Sequence, residues 1–143
     1  MEPDPVHQLR EGRTFVGPIM QRNGFEWREG FSGNSSGGAS ASGEYIRGDR
    51  KLELHFRHSL GLVTYHIGNL SLSHEQYMRH TGHRADSAYP GFSDDPMHAF
   101  QGLAEDLSLF CNDFLRGPGE EFSAAHVAAA NLEGQCGFAR LGK

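Results

Sequence analysis

Glu53, His55 and Arg57 alternate along one short run of the chain, and Thr64 and His66 alternate along the next. Carboxylate, imidazole and guanidinium groups at a period of two share one face of neighbouring strands, whatever the exact register. Such a mixed-charge face can bind a polar ligand or a protein partner. A Glu–His pair could also serve as general acid and base in a cleft. An ordinary solvated sheet face has the same composition. A second locus is Tyr89-Pro90-Gly91-Phe92-Ser93-Asp94-Asp95-Pro96, where Tyr89, Phe92 and Asp94 form either a binding loop or a hydrophobic staple at a helix entry.

Other patterns point to less. Gly33-Asn34-Ser35-Ser36-Gly37 fits the G-x-S-x-G spelling of a nucleophile elbow, but that motif needs a strand before the serine and a helix after it. Here Ser/Gly-rich sequence follows, then a strand. His74, His80 and His83, with Asp86 nearby, offer two or three metal donors where zinc needs three or four, so no metal and no cofactor are expected. These histidines read as surface residues of a loop. Cys111 and Cys136 are too few for a disulfide framework. Arg47-Gly48-Asp49 reads as a hairpin turn.

The elements that must hold these groups are legible from periodicity. Asp95-Pro96 starts a helix expected over 96–116, with Met97, Phe100, Leu103, Ala104, Leu107, Phe110, Cys111 and Phe114 as its apolar stripe. Gln101, Glu105, Asp106, Asn112 and Asp113 are assigned to the polar remainder. Gly117-Pro118-Gly119 ends it, and a shorter helix runs from Glu120 to about Leu132, burying Phe122, Ala125, Ala129 and Leu132. Strands are expected at 43–47, 51–58 and 62–67, with a first strand from Phe25-Glu26-Trp27. Asp4-Pro5 opens an N-terminal helix that ends at Asn23-Gly24 and buries Val6, Leu9, Val16, Ile19 and Met20. The competing reading makes Asn23-Gly24 a hairpin turn; the helix is preferred. Between Gly30 and Gly43, ten of fourteen residues are Gly or Ser, the composition of a flexible loop.

One domain of class α+β therefore spans 1–143. It has an antiparallel sheet of about four strands, with an N-terminal and two C-terminal helices on one face. Its 143 residues can build one core, and 13 basic against 18 acidic side chains leave a charge of -5. That balance argues against nucleic acid as partner. No apolar run approaches the ~18 residues of a membrane span. The acidic, proline-containing start is the reverse of a secretory signal, and a cytoplasmic address is expected.

A leading helix ending in Asn23-Gly24-Phe25, a meander through Leu52–Phe56 and Val63–Ile67, and a helix finishing Asp113-Phe114-Leu115 resemble small bacterial α+β proteins. Immunity proteins of polymorphic-toxin systems are among them. The resemblance implies a cytoplasmic, acidic, non-catalytic protein that acts by binding a partner, here expected to be a protein such as a toxin; a monomer or homodimer is expected. The alternative is a small ligand-binding or hydrolytic enzyme with a His/Glu-lined cleft.

Overall fold

A computed structural model describes residues 4–35, 38–57, 60–89 and 95–141. Helix α1 (Pro5–Arg22) begins where Asp4 accepts a hydrogen bond from the Val6 amide and Pro5 takes the first turn. It runs through Pro18 and buries Leu9, Val16, Ile19 and Met20, as the apolar spacing requires. Five strands follow in one antiparallel meander, spatially in chain order: β1 (Glu26–Ser35), β2 (Gly38–Arg47), β3 (Arg50–Phe56), β4 (Leu60–Ile67) and β5 (Leu70–Ser73). The β2–β3 and β4–β5 turns each place a glycine, Gly48 and Gly68, at φ +59° in the first turn position. With the next residue at negative φ, both fit the type II′ geometry that suits the twist of a two-residue hairpin.

Two expectations change here. The sheet has five strands, because β5 is only four residues long and carries too short an alternation to declare itself. The expected loop at 30–43 is instead the facing halves of β1 and β2, with 36 and 37 outside the described residues. One reason for glycine there is packing. A β-carbon on Gly43 would collide with the Trp27 indole, so glycine makes room for the tryptophan rather than marking a turn.

The buried large side chains of the sheet lie on one face: Tyr45, Leu52, Leu54, Phe56, Leu60, Val63, Tyr65 and Leu72. Against it pack α1, α2 (His74–His80), α3 (Pro96–Phe110) and α5 (Glu120–Leu141). α3 starts as expected, with Asp95 accepting from the Met97 amide, and buries Phe100, Leu103 and Leu107. It is not one helix to 116, however. The chain breaks at Cys111 and resumes as the single turn α4 (Asn112–Leu115). This break turns Asp113 inward, where its carboxylate accepts from the Gly119 and Phe122 amides and so caps α5. α5 continues past Leu132, which is 40% exposed rather than buried, while Phe122, Ala125 and Ala129 are buried as expected. No helix among the described residues is long and apolar enough to cross a membrane.

Candidate functional site

The register brings four of the expected site residues to the uncovered face of the sheet. Glu53 stands opposite Thr64, His55 opposite Leu62, and His66 opposite Lys51. Glu53 Oε1 and His66 Nε2 meet diagonally at 2.8 Å. From Ser42 on β2 to Ser73 on β5, none of the outward side chains is buried. Across the face, one row reads Arg28, Glu44, Glu53, Thr64, Ser73, and the next reads Glu26, Ile46, Lys51, His66, Ser71. Lys51 Nζ lies 3.9 Å from Glu44. The face therefore carries both signs.

Two large apolar groups border it. Leu62 is 64% exposed, and Phe31 is 59% exposed. A bulge puts Gly30 and Phe31 opposite Ser42 alone, and the Phe31 ring lies beside Gly33, two residues on and on the same side. Ser42 Oγ accepts from the Phe31 amide and fixes the bulge. Arg57 stands just past β3, half-buried.

Tyr89 does not belong to this face. Its hydroxyl donates to the Leu60 carbonyl at 2.8 Å, and its ring packs edge-on against His74 at 5.0 Å. The expected binding loop is thus anchored to the core at its first residue. Phe92 and Asp94 lie outside the described residues.

Sequence reading missed a buried polar network. His74, expected on the surface, is 3% exposed at the first turn of α2. Its Nε2 lies 2.7 Å from Asp106 Oδ2 and its Nδ1 2.7 Å from the Tyr65 hydroxyl. Asp106, expected on the polar side of α3, is fully buried and also accepts from Ser87 Oγ and the Ala88 amide. Burial pushes its carboxyl up, but the hydrogen bonds from His74, Ser87 and Ala88 outweigh it and hold the group below the ordinary carboxylate value. The Tyr65 hydroxyl also touches Cys111 Sγ at 3.6 Å. Burial holds that phenol well above its usual value and pushes the Cys111 thiol up to about 12. With a neutral imidazole the chain runs one way: thiol to phenol, phenol to Nδ1, and Nε2–H to the carboxylate.

Chemically this network orders the chain around a buried carboxylate. Tyr65, Asp106 and Cys111 are fully buried, and Ser87 bonds the carboxylate, not the imidazole. Two signals for it stood in the sequence. Ser73 and Gln76 form a capping box that begins a helix at His74. Position 106 is also flanked at helical spacing by Ala99, Leu103 and Phe110, inside the apolar stripe.

Other expected motifs resolve locally. His83 stacks on Phe110 at 4.4 Å between ring centres, away from His74. Among the described residues no group of three His, Cys, Asp or Glu side chains is placed to hold a metal ion. Gly33 to Ser35 continue β1 instead of turning into a helix, so no nucleophile elbow forms. Arg47 and Arg50 flank the β2–β3 turn and reach α4: Arg47 donates to the Asn23 and Leu115 carbonyls, and Arg50 to those of Asp113, Phe114 and Gly117. Compared with family models, with curated proteins and with solved structures, the chain matches none.

Proposed function

We propose that this is a small binding protein of the immunity or accessory type, which engages a protein partner through the outer face of its sheet. The observation that carries this reading is the Glu53–His66 pair at the middle of a face on which, from Ser42 on β2 to Ser73 on β5, no outward side chain is buried. Around it, charges of both signs supply orientation, and Phe31 and Leu62 supply apolar anchors of the kind interfaces use. The buried His74 network stabilises the opposite side and leaves this face free for recognition. A protein acting in this way would neutralise or escort its partner in the cytoplasm without turning it over.

The test needs the partner in pure form. Crosslinking in native cells captures it, and the purified partner is then titrated against the wild type and against Glu53→Ala/Leu62→Asp/His66→Ala. The reading predicts an unchanged melting curve and affinity at least tenfold weaker, about 1.4 kcal/mol. Equal affinity of the folded variant would remove this face from the proposal.

A further inference from the structure

β1 is an edge of the sheet, and its first half offers a ladder that nothing in the described chain completes. The two-residue turn at Gly48-Asp49 makes Arg47 and Arg50 the closing hydrogen-bonded pair of β2 and β3. In an antiparallel ladder, successive residues direct both backbone groups to opposite sides. Tyr45 and Arg47 therefore bond β3, while Glu44 and Ile46 bond Arg28 and Glu26 of β1. Trp27 and Glu29 are left with their N–H and C=O groups pointing off the edge. Phe25, of the same parity, confirms the direction: its amide bonds the Met20 carbonyl at the end of α1, not β2.

The side chains along this edge are self-complementary. Glu26 and Arg28 are both exposed, and neither has an ion-pair partner within the described chain. They flank Trp27, which is fixed in place. The Arg13 guanidinium lies 4.1 Å above its ring, and its indole N–H donates to Glu29 Oε2 at 2.6 Å. Beside them runs an open groove of about 420 Å³ lined by Gly24, Glu26, Trp27, Arg28, Ile46, Arg47 and Gly48. α1 packs over β2 more than over β1, so it leaves the rim accessible.

We propose that a second copy of this chain adds to that edge, β1 antiparallel to β1, with the two-fold axis at Trp27. Trp27 then exchanges two backbone hydrogen bonds with its counterpart. Glu26 of each copy stands directly opposite Arg28 of the other at a non-hydrogen-bonded position, where side chains approach most closely. Both ion pairs form at once, as a closed isologous interface demands. The groove takes the arginine side chain of the second copy. The five-stranded meander becomes a continuous ten-stranded sheet with all its helices on one side. The bulge at Gly30-Phe31 limits the ladder to the first half of β1.

Charge reversal tests this directly in the full chain. Sedimentation velocity at low salt over a range of concentrations measures self-association, and the emission of the sole tryptophan reports the axis. The wild type dimerises. Arg28→Glu alone and Glu26→Arg alone each place like charges opposite one another and weaken the dimer at least tenfold. Glu26→Arg/Arg28→Glu restores attraction with the signs exchanged and recovers the dimer. This recovery separates the contact between copies from any effect of residue 28 on Glu44 of its own chain, which the second substitution does not reverse. Melting curves confirm that each variant is folded. A wild type that stays monomeric, a dimer indifferent to the single reversals, or a folded double variant that fails to recover it would each overturn the proposal.

Discussion

Gly12 on α1 lies so close to the Phe100 ring on α3 that a β-carbon at residue 12 would fall inside the ring's van der Waals surface. The two helices are in contact because one of them has no side chain there.

Gly12→Ala should therefore destabilise the protein, although alanine is worth about 1 kcal/mol over glycine in a helix. Overpacking a core costs about 1–3 kcal/mol, and the Phe100 ring is fully buried. Phe100→Ala should cost about 3–5 kcal/mol through the cavity it opens. In urea titrations, Gly12→Ala/Phe100→Leu should fall short of the sum of its single variants. Strict additivity would show that the two residues do not share a contact.

Asp106→Ala leaves His74, Ser87 and the Ala88 amide without their common acceptor. Each buried donor left unsatisfied costs about 1–3 kcal/mol. Chemical denaturation at neutral pH measures it, and a loss below 1 kcal/mol would mean that water replaces the carboxylate.

The same carboxylate sets an acid limit. Hydrogen bonds from His74, Ser87 and Ala88 hold its folded-state pKa below the ordinary aspartate value of about 3.9, so folding favours the charged form. The stability it adds is fully present above that value and is lost as pH falls through the folded pKa. Wild-type stability should decline below about pH 4, the range of an unfolded Asp. Asp106→Asn should be less stable at neutral pH and show a shallower acid decline. Parallel profiles would assign the acid sensitivity to other carboxylates.

On the outer face, His55→Ala/His66→Ala should shift stability by no more than about 0.5 kcal/mol per site, as exposed substitutions do. The Glu53–His66 pair is solvent-facing and screened. A drop in melting temperature of many degrees would mean that another surface covers this face.

What the sequence made legible was local. Asp4-Pro5 and Asp95-Pro96 announced two helix starts because capping chemistry lies within three residues of itself. The strict alternation from Leu52 to Phe56 placed Glu53 and His55 outward, since a half-buried strand has no other solution. The losses were non-local. His74 and Asp106 are 32 positions apart, and each looks like a surface residue until the other is beside it. The break at Cys111 was invisible because its rewards, the capping of α5 by Asp113 and the arginines from the β2–β3 turn, come from other elements. Glycine at residue 43 spoke for a loop, and only the Trp27 ring above it explains its presence in a strand.

The two arginines at the β2–β3 turn also bear on the time order of folding. They find their α4 and post-α4 acceptors 63 to 68 residues further along the chain, whereas each strand of the meander pairs with its sequence neighbour. Contacts of short sequence separation close first, since long loops cost more entropy before they return any energy. The arginine clamp is thus expected to shut late, once the sheet is built and α3 has delivered the last turn to it. Interactions formed after the transition state slow escape from the native state without speeding arrival. Arg47 and Arg50 should therefore act as a latch: Arg50→Met should speed unfolding more than it slows folding in stopped-flow traces, and an equal effect on both rates would place the clamp in the transition state.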